Sequence, residues 1–185
     1  WLGTSLGVDA DYFIRGGIYG SLQQGVGLIC GLVIIYAFGH FVPPAVFGEY
    51  NLLLSIISLL AIVSLPGMNT AVLRSVGQGY DRSLTQAVRV KLKWSTLGIP
   101  LLLGLAYYYK LRGSDVMPAL MIVTAVFFPF IYSFSVTQSF FVAKKRFDLQ
   151  AVFNAISSVM TAALVSWAII VKGNLFWAMV GYLIG

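Results

Sequence analysis

The chain has 185 residues, of which 59% are hydrophobic and only 10% charged, against about 25% charged in an ordinary soluble domain. That balance excludes most soluble-enzyme readings and points to an all-α membrane protein, a bundle of about six transmembrane helices. The net charge of +6 would suit nucleic acid if it covered one surface. It is concentrated in alternate loops instead, so it mostly reports topology rather than a nucleic-acid partner.

Residues 1–13 read as a short polar lead with Asp9 and Asp11. A first span is predicted near 14–38, since roughly 20 apolar residues cross a 30 Å hydrocarbon core. It carries Gly16/Gly20 and Gly27/Gly31 at GxxxG spacing, which fits either a close packing seam between helices or a helix that bends during transport. Phe41 to Pro44 make an outer turn, and a second span is predicted near 46–66. It meets Pro66-Gly67, where a missing backbone donor kinks a helix. These two residues are hinge candidates, with a plain helix end as the alternative. Further spans are predicted near 94–109, 116–142 and 150–171, with a short one at 174–185. The 94–109 stretch is short unless Val88, Val90 and Leu92 extend it. Pro100, Pro118 and Pro129 are expected to add bends.

Nine of the twelve Lys and Arg residues fall at Arg15, in 74–93 (Arg74, Arg82, Arg89, Lys91, Lys93) and in 143–149 (Lys144, Lys145, Arg146). The remaining loops hold only Lys110, Arg112 and Lys172. The positive-inside rule therefore puts the N-terminus, 74–93 and 143–149 in the cytoplasm.

Polar groups within hydrocarbon face other protein or water. Arg15, Tyr19 and Gln23 share one helix face at four-residue spacing, with Gln24 beside them. Thr70 and Arg74 share another. Tyr132, Ser135 and Ser139 form a stripe edged by Gln138, and Gln150, Asn154, Ser158 and Thr161 form the longest stripe. Two readings stand. Such groups hydrogen-bond across helix interfaces, or they line a hydrated cavity for a polar substrate. The substrate-contact candidates are Arg15, Gln23, Gln24, Asn69, Arg74, Gln138 and Asn154. Arg74 is either an anion contact or a snorkelling anchor at the inner interface.

Catalytic and metal chemistry find no support. The single histidine, His40, ends the first span, and the single cysteine, Cys30, allows neither an internal disulfide nor a cysteine metal site. The acids Asp9, Asp11, Glu49, Asp81, Asp115 and Asp148 all sit at span ends or in loops, so no pair is placed for acid–base work. No enzyme and no cofactor are expected, and coupling to an unidentified ion stays open. The chain begins with Trp1 and ends at Gly185 inside an apolar run, a pattern expected of a piece of a longer protein.

The segment FGEYNLLLSIISLLAIVSLPGMNTAVLRSVGQGYDRSL, Phe47 to Leu84, with KLKW at Lys91–Trp94 and KKRFD at Lys144–Asp148, resembles the polysaccharide-exporter, O-antigen-type flippase branch of the multidrug/oligosaccharidyl-lipid/polysaccharide superfamily. The likeness runs from about residue 14 to 171. It implies transport of a lipid-linked oligosaccharide or polysaccharide precursor across the bacterial inner membrane for cell-surface polysaccharide such as lipopolysaccharide. It implies two six-helix lobes around a cationic cavity, with residues 14–185 as the N-terminal lobe and the lipid bilayer, the substrate and a second helical lobe as partners. Three other readings remain: a multidrug or small-solute antiporter of the same superfamily, a compact six-helix vitamin-uptake subunit, and a membrane scaffold whose polar stripes only pack.

Overall fold

The computed structural model describes residues 10–80, 82–114 and 116–185, with residues 10–13 and 15 described by their backbone alone. Among the described residues every regular element is a helix. They are α1 (Ala10–Phe41), α2 (Pro44–Leu60), a 3₁₀ turn (Ala61–Ser64), α3 (Gly67–Gly77), α4 (Ser83–Ser95), α5 (Gly98–Leu111), α6 (Val116–Phe134), α7 (Val136–Ala143), α8 (Phe147–Lys172) and α9 (Leu175–Ile184). The protein is an all-α membrane bundle. By length and composition four stretches can cross a bilayer: Gly16–Phe41, Pro44–Ser64, Val116–Ala143 and Phe147–Lys172. The apolar α9 is shorter.

The prolines explain where the helices begin and break. Pro43 caps α2 and Pro44 opens it, where a missing N–H costs nothing. The break expected at Pro66 lies one residue earlier. The 3₁₀ turn ends at Leu65, whose φ of 55° is left-handed, and Pro66 starts α3 in a right-handed helical conformation. The residue before a proline is pushed out of the right-handed helical region, so Leu65 takes the turn and Pro66 keeps its helical φ. Pro118 falls in the first turn of α6 and removes no helical bond there, so it supplies no cause for the bend expected at that position. Pro129 lies inside α6.

Pro100 has a subtler effect. Thr96 and Leu97 keep helical angles between α4 and α5, so Ser83 to Leu111 forms one rod about 40 Å long at 1.5 Å per residue. The helix predicted at 94–109 is therefore continuous with the residues before it, Val88, Val90 and Leu92 among them. Pro100 cannot donate to the Thr96 carbonyl, and that oxygen accepts from Ile99 N at 3.1 Å instead, while Leu97 N donates to the Trp94 carbonyl at 3.0 Å. The rod tightens into a 3₁₀ turn at that point.

Helix α1 packs along α8, α9 against α8 and α6, α4 and α5 against α6, and α3 against α7 and α4. One core joins Phe38, Tyr50, Leu53, Ile57, Leu120, Met121, Val165, Ile169 and Met179. A smaller one joins Val72, Val76, Ala87 and Val136. In lipid the hydrophobic effect does not distinguish helix contact from acyl-chain contact, and close packing supplies the attraction. Two glycines show how close. A Cβ on Gly98 would lie 2.4 Å from the Phe128 ring, and one on Gly181 3.1 Å from the Leu164 backbone. The seam expected on α1 is different. Gly16 faces the Phe147 ring, but Gly20, Gly27 and Gly31 meet nothing within 4 Å. Gly27 and Gly31 are half-buried, and Gly27 borders a hollow against α8, whereas Ile29 and Leu32, each 65% exposed, are open to lipid or to other protein.

Candidate functional site

The strongest polar arrangement centres on Lys91, which in the sequence stands only as one of a run of basic residues and as the start of KLKW. Lys91 is 1% exposed. Its ammonium donates to Asn69 Oδ1 at 3.0 Å and to Ser135 Oγ at 2.9 Å. Ser135 Oγ in turn donates to the Tyr132 carbonyl at 2.8 Å, where α6 stops and α7 begins. Asn69 stands just after the Leu65 break. One cation therefore ties together two helix interruptions. A long amphipathic side chain normally snorkels to water. This one cannot, because it lies on the buried Ala87–Lys91–Ser95 face of α4, while Arg89 and Lys93 are exposed. That stripe of small residues at four-residue spacing is the sequence signal that separates Lys91 from its basic neighbours.

The amides adjoin this cluster. Gln138 Nε2 donates to Asn154 Oδ1 at 2.8 Å, linking α7 to α8, and Asn154 Nδ2 donates to the Gln150 carbonyl at 3.1 Å. Three hollows meet here. One of about 160 Å³ is bordered by Asn69, Ser135, Gln138 and Ser139. One of about 550 Å³ shares Ser135 and Gln138 and continues past Ser157, Thr161 and Tyr182 along apolar walls such as Phe134 and Phe153. A third of about 270 Å³ is bordered by Gln23, Gln24, Asn154 and Ser158, between α1 and α8. Asn69, Gln138, Asn154, Gln23 and Gln24 thus form one belt across α3, α7, α8 and α1.

The other candidates stand apart. Arg74 and Thr70 are exposed on α3 and do not line these hollows. The side chain of Arg15 lies outside the described residues, as do Asp9, Asp81 and Asp115 and the side chain of Asp11. Pro66 and Gly67 are exposed at the start of α3. At the turn into α8, Arg146 pairs with Asp148 at 3.2 Å, beside a hollow that Tyr19 and Lys145 also line. His40 stacks on Tyr36 with ring centroids 5.7 Å apart. Among the described residues no three His, Cys, Asp or Glu side chains come together as metal ligands. Not every polar stripe serves the belt: Ser133 bonds back to the Pro129 carbonyl within its own helix, and Ser95, Thr124 and Ser166 are buried with unpaired hydroxyls.

A family model described as polysaccharide biosynthesis protein matches residues 13–185. The chain belongs to that family. Its members are membrane transporters in type rather than enzymes, and the match gives this multi-pass bundle a transport role connected with polysaccharide. No curated protein and no solved structure matches the chain.

Proposed function

We propose that the protein carries a lipid-linked oligosaccharide or polysaccharide precursor from the inner to the outer leaflet of a bacterial plasma membrane. Residues 14–185 would form the N-terminal lobe, facing a second helical lobe of the same transporter. The observation that carries this reading is the amide and hydroxyl belt inside an apolar bundle of the polysaccharide biosynthesis family. Sugars offer many hydroxyls, and amides satisfy both their donors and their acceptors. The apolar walls of the 550 Å³ hollow suit the lipid portion of such a cargo. Transport of this kind needs two packings of the lobes and no covalent chemistry. The interruptions at Leu65 and Ser135 are the places where the inner ends of the helices can move without breaking long runs of helical hydrogen bonds.

Depleting the full-length protein in its host and following a radiolabelled lipid-linked glycan tests the proposal. The labelled glycan should accumulate on the inner leaflet, and surface polysaccharide should fall. An unchanged leaflet distribution after depletion would refute it.

A further inference from the structure

We infer that Lys91 is a positioning residue for a phosphate-class anion that docks in the hollow beside Asn69, Gln138 and Ser139. The choice of phosphate rests on the proposed transport of a lipid-linked glycan, whereas the anion preference itself rests on the geometry below.

A buried cation normally has an anionic partner, because isolating it from water is costly. Helices α3, α4, α6 and α7 contain no Asp or Glu, and the partners Lys91 does have, Asn69 Oδ1 and Ser135 Oγ, are neutral. The charge is only partly compensated, and the two groups that hold it, Asn69 and Ser135, also border the hollow. The bonds also decide what that hollow offers. An ammonium only donates, so Asn69 must turn Oδ1 to Lys91, leaving its NH₂ as the end that Lys91 does not hold. Ser135 spends its one hydrogen on the Tyr132 carbonyl. Gln138 uses one N–H on Asn154 and keeps the other. The hollow is thus lined by amide donors in front of a fixed positive charge, an arrangement that suits an acceptor-only group such as phosphate. Its volume, about 160 Å³, admits a small headgroup and not a sugar chain, whereas the adjoining 550 Å³ hollow has room for more. The exposed arginine on α3, Arg74, does not line it.

The test uses the full-length protein in nanodiscs, with Cys30→Ser and Ser139→Cys, and measures how inorganic pyrophosphate slows maleimide labelling at position 139. Pyrophosphate should slow labelling several-fold, and sucrose should not. Lys91→Met should abolish the protection. Because that substitution removes two buried bonds and can unfold the packing, Asn69→Asp is the second variant. It gives Lys91 a carboxylate partner, so the thermal midpoint should hold or rise. It also removes the amide donors and neutralises the charge, so the half-protecting concentration should rise about tenfold or more, as for loss of one hydrogen bond to a charged group. Unchanged protection at a normal midpoint, in Lys91→Met or in Asn69→Asp, would overturn the inference. Protection by sucrose as strong as by pyrophosphate would overturn the anion preference. Protection caused by phosphatidylglycerol discs alone, with no further effect of pyrophosphate, would replace the cargo phosphate with a lipid headgroup. A failed depletion experiment alongside intact pyrophosphate protection would instead reject the glycan cargo and keep the site.

Discussion

The Gln138–Asn154 bond separates a cavity from mere helix packing. The perturbation is a double-mutant cycle with Gln138→Leu, Asn154→Leu and the pair, in the full-length protein. Side-chain hydrogen bonds between membrane helices average about 0.6 kcal/mol and reach about 1.7. At 2.8 Å this bond has full-strength geometry, and it joins two half-buried amides, so a coupling of about 1 kcal/mol is expected. Asn154→Leu should cost more than Gln138→Leu, because it also removes the 3.1 Å bond to the Gln150 carbonyl. The double variant should recover the coupling, since two leucines leave no orphaned amide at the α7–α8 contact. Reversible unfolding in mixed micelles reads these energies, and glycan export in the depleted host reads function. The cavity reading expects export to stay low in the double variant even as its stability returns toward that of the milder single. Normal export by the double variant would refute it and leave the amides as interhelical glue.

Three further outcomes are expected. Cysteines placed at Ser83 and Lys145 should react with an impermeant maleimide only from the cytoplasm, and one at Pro44 only from outside, because the basic residues cluster on one set of loops; labelling of position 83 in intact cells would invert the orientation. Arg74→Ala should reduce export at normal expression yet leave pyrophosphate protection at position 139 intact, because Arg74 is exposed on α3 and lines none of the three hollows; Arg74→Lys should restore export in part, since the planar guanidinium grips phosphate at two points, and full rescue by lysine would make Arg74 a topological anchor. Gly98→Ala should lower stability by about 1–3 kcal/mol, because the new methyl meets the fully buried Phe128 ring at 2.4 Å; an unchanged unfolding midpoint would show that the α5–α6 contact yields easily.

The long apolar runs were readable from composition and length alone, and the structure keeps them at 16–41, 116–143 and 147–172. The breaks were harder, because a proline's effect depends on which turn it occupies. Pro118 reads like a kink and sits in a first turn. Pro66 reads like a kink and hands the turn to Leu65. In the site, Asn69, Gln138 and Asn154 were legible as polar residues in apolar surroundings, whereas their mutual contacts were not, since those depend on helix rotation. Lys91 was hidden for another reason. In a basic segment one lysine reads like its neighbours, and only the small residues four positions before and after it, Ala87 and Ser95, mark the face it shares.

The 3₁₀ turn ahead of Pro100 sets the angular phase of the rod. A 3₁₀ residue advances by about 120° and an α-helical residue by about 100°, so each tightened position swings everything below it about 20° further around the axis. The buried stripe passes through that twist, from Ala87, Lys91 and Ser95 to Gly98, Leu102 and Ala106. A proline nine positions away thus helps decide where the buried ammonium points. Giving position 100 an N–H would let the Thr96 carbonyl close a regular α-helical bond, and the lower half of the rod would turn like a key, carrying Lys91 away from Asn69 and Ser135 without any change to those three residues.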